Sequence, residues 1–283
     1  MKRLVLATVL LLVLPASAAA SDGGPSPGVL TGWDGVLSPN GAVRYVTLNS
    51  RGGWTNVAAV RVRGGRVLNF NAVRGFYGVP LVTQTDPAGG LSRDGRTLIL
   101  STWPSNQPGA VSRFAVLGTR QLRVHRIVTL QGSYSYDALS PDAKTMYLIE
   151  YTPGSTSVRY RVRAFDLVAG RLLPGAIADK RLWGDYMRGT PISRATTSDG
   201  GWVYTLYSKP DGTGFIHALD AAHRAAVCVN LPWRRMANGL AYVRLAIDGK
   251  ELVLRQHGVG RLAAIDRQSF TVRAFHKPGG LTQ

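Results

Sequence analysis

The chain has 283 residues, with 34 Lys+Arg against 16 Asp+Glu and a formal net charge of +18. A hydrophobic share of 45% and a charged share of 18% exclude a collagen, a coiled coil and a disordered tail, and leave enough chain for a real core. The single cysteine, Cys228, excludes an intramolecular disulfide framework and a cysteine-built zinc site.

The N-terminus has the form of a signal peptide over residues 1–20. Lys2 and Arg3 give a positive start, residues 4–14 form an apolar run, Pro15 breaks it, and Ala16-Ser17-Ala18 or Ala18-Ala19-Ala20 offers a small-x-small cleavage site. Eleven apolar residues rise about 16 Å as a helix, short of the roughly 30 Å of a bilayer core. No cysteine follows the run, which excludes a lipoprotein anchor, and no later stretch reads as a transmembrane segment. The expectation is a secreted, extracytoplasmic protein with a flexible segment at 21–29, one domain over 30–276 and a tail at 277–283. Of the basic residues 28 are Arg and 6 are Lys. A GC-rich, bacterium-like coding bias explains Arg over Lys but not the excess of base over acid. That excess favours anionic partners: a cell-envelope polymer, or a protein partner. No nucleic-acid reading motif is present, so specific nucleic-acid recognition is not expected.

From residue 37 onward one signature recurs. Leu37-Ser38-Pro39-Asn40-Gly41, Leu91-Ser92-Arg93-Asp94-Gly95, Leu139-Ser140-Pro141-Asp142, Thr197-Ser198-Asp199-Gly200 and Ala246-Ile247-Asp248-Gly249 each precede a short apolar β-rich run, and the anchor residues step by 54, 48, 57 and 49. A second turn follows in three units at Asp166, Asp220 and Asp266. The two turns predict four short antiparallel strands per unit of about 50 residues, a propeller blade. The expected fold is all-β, a β-propeller of four-stranded antiparallel blades. Five blades are expected, or six if a degenerate blade lies in residues 174–196. The turns resemble those of secreted bacterial WD-like and YVTN-type propellers, whose blades carry a Leu-Ser-Pro-Asp-Gly turn. The resemblance implies the fold and no particular activity, since propellers host enzymes and passive scaffolds alike.

Seven acids, Asp94, Asp142, Asp199, Asp248, Asp166, Asp220 and Asp266, belong to these turns and have a structural role. Asp34, Asp86 and Asp137 precede anchor serines of consecutive units and could converge in the central channel, where carboxylate oxygens suit Ca²⁺. The matching later positions are Arg194 and Asn238, so the acidic ring is incomplete. Arg159, Arg161 and Arg163 alternate with apolar residues, as do Arg61 and Arg63. Period two puts each set on one strand face, giving either a solvated face or a basic rim for an anionic surface. Trp183, Tyr186, Trp233 and Arg234 lie in Pro- or Gly-flanked loops of the kind that carry binding. No nucleophile elbow, phosphate loop or dinucleotide fingerprint is found. The expected function is a non-catalytic binding or interaction module at the cell envelope. The alternative is a metal-dependent, lactonase-type hydrolase with its site in the channel.

Overall fold

The repeated turns are knots of three hydrogen bonds. In the computed structural model, Ser38 Oγ donates to Asn40 Oδ1 at 2.7 Å, Asn40 Oδ1 accepts from Ala42 N at 3.1 Å, and Ser38 Oγ accepts from Val43 N at 3.0 Å. The same three bonds recur around Ser92–Asp94, Ser140–Asp142 and Thr197–Asp199. Each knot satisfies turn amides that strand pairing leaves over. The fifth signature folds differently: Asp248 pairs directly with Glu251 across a two-residue hairpin containing Gly249 at φ 56°. Its place for the serine holds Ala246, and the knot is not built. Asp166, Asp220 and Asp266 accept two backbone amides each in the second turns.

The described residues are 28–279 except 84, 106, 153–158, 182, 183, 185 and 235–238. The expected signal peptide at 1–20, most of the 21–29 segment, the end of the tail, Trp183 and Asn238 lie outside them. The described chain is all-β with a single 3₁₀ turn at Leu240–Tyr242. No described helix is long and apolar enough to cross a membrane.

Five sheets carry the repeats. Sheet 1 is β2 (Gly32–Leu37), β3 (Val43–Ser50), β4 (Trp54–Arg61) and β5 (Val67–Arg74). Sheet 2 is β7 (Thr97–Ser101), β8 (Val111–Gly118) and β9 (Arg123–Gln131). Sheet 3 is β10 (Ser133–Leu139), β11 (Thr145–Thr152), β12 (Arg159–Asp166) and β13 (Arg171–Leu172). Sheet 4 is β14 (Thr190–Thr196), β15 (Trp202–Ser208), β16 (Gly214–Asp220) and β17 (Ala225–Asn230). Sheet 5 is β18 (Val243–Asp248), β19 (Glu251–Gln256), β20 (Gly260–Asp266) and β21 (Val272–Ala274). All are antiparallel meanders in chain order. A sixth, two-stranded sheet pairs β1 (Gly28–Leu30) with β6 (Val79–Leu81) and meets sheet 2 through a Gly78–Ser101 bridge.

The count is therefore six sheets where the repeat gives five units, and the extra one is not in residues 174–196. Ile177 and Met187 of that stretch instead edge sheet 3, by bridges to Val162 and Tyr160, and its end is β14 of sheet 4. The sixth sheet joins three residues from each of two distant stretches, and no turn signature marks it.

Alternation on each strand buries both faces of the inner sheets. One apolar cluster joins sheets 1 and 2 through Val57, Ala59, Leu98 and Leu117, and another joins sheets 2 and 3 through Ile99, Phe114, Met146 and Leu148. Tyr147, Val162, Val203 and Leu219 join sheets 3 and 4; Leu206, Ile216, Leu252 and Leu262 join sheets 4 and 5. Each such Leu or Ile contributes about 1.5–3 kcal/mol relative to exposure. Sheets stacked face to face in chain order form a β-propeller; four of the five have the expected four strands, while sheet 2 has three, with a single Leu91–Leu98 bridge to β7 in place of a first strand.

Candidate functional site

The inner strands converge on a cavity of about 560 Å³ at the end of the ring that carries the Ser-Asp knots. Val36 and Leu37 of β2, Tyr136 to Leu139 of β10 and Arg194 and Thr196 of β14 line it, with Val82, Thr83 and Asp86 to Arg93 from the connection between β6 and β7.

Two local features aim its charged groups. The β10–β11 register slips between Tyr136 and Ala138, so Asp137 is a bulge residue, and a bulge re-aims its side chain. The 82–90 segment leaves the small sheet and reaches sheet 4, where Thr85 Oγ1 donates to Ile192 O at 2.9 Å. Asp86 sits on this segment. Its Oδ2 accepts from Thr83 Oγ1 at 2.8 Å and from Arg194 N at 2.6 Å, and its Oδ1 accepts from Ser193 Oγ at 3.4 Å. Ser193 Oγ in turn accepts from Leu245 N of sheet 5 at 3.0 Å.

Arg194 is the centre. Its Nη1 donates to Asp137 Oδ1 at 2.7 Å and its Nη2 to Asp137 O at 2.9 Å. The two side chains are 13% and 4% exposed, so the pair is shielded from water and the attraction is strong. One constellation thus ties sheets 3, 4 and 5 to the crossing segment.

Of the three acids read as a channel set, Asp86 and Asp137 come together, with Arg194 engaging both. Asp34 lies exposed on β2, outside the residues lining the cavity. Among the described residues no group of three His, Cys, Asp or Glu side chains is placed to hold a metal ion.

The arginine rows divide. Arg61, Arg63 and Arg159 are exposed. Arg161 and Arg163 are not a free basic face: both donate to Glu150 Oε2 on the neighbouring strand, Arg163 at 2.8 Å, and Tyr134 donates its hydroxyl to Glu150 Oε1 at 2.7 Å. These donors hold the Glu150 carboxyl below its usual range against the opposing effect of burial, and burial with the carboxylate pushes Tyr134 up to about 12. Arg161 lies 5.5 Å from the ring centre of the exposed Tyr186. Trp233 is buried in the core of sheets 4 and 5. It also lines a second opening of about 620 Å³ with Arg234, which is exposed, Lys209 and Asp211.

Behind the cavity lies a buried polar group between sheets 3 and 4. His217 is 2% exposed with no partner for Nε2, and its imidazole is lowered to about 4, chiefly by burial. Tyr160 has an unpartnered hydroxyl, and its ring stacks on Tyr207 at 5.6 Å. The Cys228 thiol is pushed up to about 11 by burial, which makes it a poor nucleophile. Asp179 was not singled out by the sequence. It holds Arg181 and accepts from Cys228 N at 2.8 Å, and these donors lower its carboxyl to about 2. The short Asp179-x-Arg181 spacing is the signal that could have marked it.

No protein-family model and no curated protein matches the chain. Among solved structures it is similar to hydrazine synthase of Kuenenia stuttgartiensis, at 18% identity and a TM-score of 0.42, covering 90% of this chain and 80% of that one. It is similar to TolB from Acinetobacter baumannii at 11% identity and a TM-score of 0.46, covering 89% of this chain and 55% of that one. The Dos1 propeller matches at 9% identity and a TM-score of 0.46, covering 85% and 57%. The chain thus spans little more than half the length of the latter two.

Proposed function

We propose that the protein is an exported propeller that works by binding a component of the cell envelope, without catalysis, and that its working surface is the cavity at the knot-bearing end of the ring. The observation that carries this reading is that the cavity's charged groups are each engaged within the protein, Arg93 among them, whose Nε donates to Ser198 O at 2.8 Å. Arg194 is held by Asp137, and Asp86 by Thr83, Ser193 and the Arg194 amide. A general base or nucleophile needs a lone pair or a proton directed at a reacting atom, whereas these groups lock the walls of an open recess. Its rim is apolar and stiff, with Pro39, Pro87, Pro141, Leu37 and Leu139, and suits a protruding segment of a partner protein. The N-terminal signal pattern supports placing that partner outside the cytoplasm.

The test is capture from envelope fractions with the purified protein and with a Leu37→Glu, Leu139→Glu variant. The expected result is one partner band retained by the parent, cross-linked from position 141 and lost in the variant, with no turnover of ester or lactone substrates by either. Turnover that disappears with Asp86→Asn would overturn the binding reading in favour of the hydrolase.

A further inference from the structure

Charge and exposed apolar surface are concentrated in the same part of the ring. Residues 35–136 contain 12 arginines, no lysine and two acids, Asp86 and Asp94; residues 35–85 contain no acid at all. Three of the four most exposed aromatic side chains among the described residues fall in the same region, Phe70 at 72%, Trp103 at 62% and Phe76 at 57%, and the fourth, Trp33 at 63%, stands two residues before it, next to Asp34.

Strand direction brings most of these to one end. Leu37 and Pro39 of the first knot and Ser92 of the second line the cavity, so the other ends of β3 and β4, joined at 51–53, lie at the opposite end of the ring. Arg51 is at that tip, exposed, and Trp54 follows at 42% exposure. Arg74 is Trp54's partner across β4 and β5. Gly75 N donates to Gly53 O at 2.7 Å, which places Phe76 beside the same tip. Trp103, just past the end of β7, packs against Gly28 of β1, and β1 leads directly to Trp33. Arg51 and Arg74 are both exposed. Asp34, beside Trp33, is the one acid among the described residues of sheets 1 and 2 at this end.

We propose that this end of sheets 1 and 2 docks on an anionic phospholipid bilayer, with Trp33, Trp54, Phe76 and Trp103 entering the interface and Arg51 and Arg74 meeting headgroup phosphates. A soluble polyanion accounts for the arginines but leaves the aromatics in water. A polysaccharide site stacks its aromatics along a groove, and none of these four lines either described cavity. Aromatic tips that project from turns, flanked by exposed guanidinium groups, match a surface that offers negative charge above an apolar layer. The inference stands apart from the cavity at the other end, and the two can fail separately.

The test is co-sedimentation of the purified protein with vesicles of phosphatidylcholine, alone or mixed with phosphatidylglycerol. Three variants share every other residue with the parent: Arg51→Glu with Arg74→Glu; Trp54→Ser with Trp103→Ser; and a charge-matched control, Arg159→Glu with Arg171→Glu, on sheet 3. Thermal unfolding checks that each is folded, and Phe76→Ser replaces the Trp pair if that variant is not. The expected result is binding to the mixed vesicles alone. The arginine pair should weaken it by roughly 30-fold, the aromatic change by about tenfold, and the control by less than about threefold. Four outcomes overturn the proposal: no binding by the parent, equal binding to neutral vesicles, a control as weak as the arginine pair, or an aromatic variant as tight as the parent. The last, with competition by a soluble polyanion, points to a polymer instead.

Discussion

Arg194 on the first strand of sheet 4 grips Asp137 on the first strand of sheet 3 twice, once through the carboxylate and once through the backbone carbonyl, at 2.7 and 2.9 Å. A fork of this kind fixes distance and angle together. Removing one partner leaves a shielded charge uncompensated, so Asp137→Ala should cost about 3–5 kcal/mol, a fall of about 10 °C in melting temperature for a chain this long. The double change Asp137→Leu, Arg194→Met removes both charges and should recover most of the loss. Thermal unfolding of Asp137→Leu alone, Arg194→Met alone and the double variant measures the coupling. Additive losses would show that the pair does not act as a unit.

His217 makes stability depend on pH in a defined window. Its ring is held neutral in the fold, with a pKa lowered from 6.5 to about 4. Below pH 6.5 the unfolded chain binds the extra proton, so stability falls as pH drops from 6.5 to about 4 and levels off beneath. The total is about 3 kcal/mol. Asp179, held at about 2, contributes stability that is lost mainly below this window. Melting temperature against pH should therefore decline between 6.5 and 4, and His217→Phe should flatten that segment whatever it does to stability at neutral pH.

The parts legible in the sequence are those whose partners lie within a few residues. Ser140 and Asp142 meet each other and the amide of Thr145, so the knot, its recurrence and the all-β meander could be read from spacing. Period two puts the arginines of β12 on one face, but it does not show that Glu150 of the adjacent strand, paired in register with Arg161, takes Arg161 and Arg163. Pairing the hairpin would have shown it. Trp233 stood beside a proline, which suggests surface, yet its ring fills the core between Val229 and Leu240. Arg194 and Asp137 are 57 residues apart, and their meeting depends on how two sheets stack, which no local pattern encodes. The sixth sheet is hidden for the same reason.

One knot departs from the others and predicts a stabilising change. The left-handed position is Gly41, Gly95 and Gly200 at φ 68°, 70° and 72°, but Ala143 at φ 56°. A residue with a Cβ pays about 1–2 kcal/mol there, and glycine loses about 0.5–1 kcal/mol through chain entropy. Ala143→Gly should raise stability by about 0.5 kcal/mol, or one to two degrees. Gly41→Ala is the matching test in the other direction. A Cβ at Gly41 meets nothing within 4 Å, so its cost, by the same balance about 0.5 kcal/mol, reports the backbone alone.

Calcium should leave the protein unchanged. A Ca²⁺ site needs six to eight oxygens at about 2.3–2.6 Å. Asp137 Oδ1 already holds a guanidinium nitrogen at 2.7 Å, and both oxygens of Asp86 accept hydrogen bonds. A cation would have to displace Arg194 from a shielded pair before it found its first ligands, and Asp34 is not there to help. After chelation, adding Ca²⁺ to millimolar levels should give no shift in melting temperature. A cation at 100 times its dissociation constant would instead add about 2.7 kcal/mol, several degrees in this chain. A saturable shift abolished by Asp86→Asn with Asp137→Asn would mean that Arg194 swings away to admit a metal, and would reopen hydrolysis in the channel.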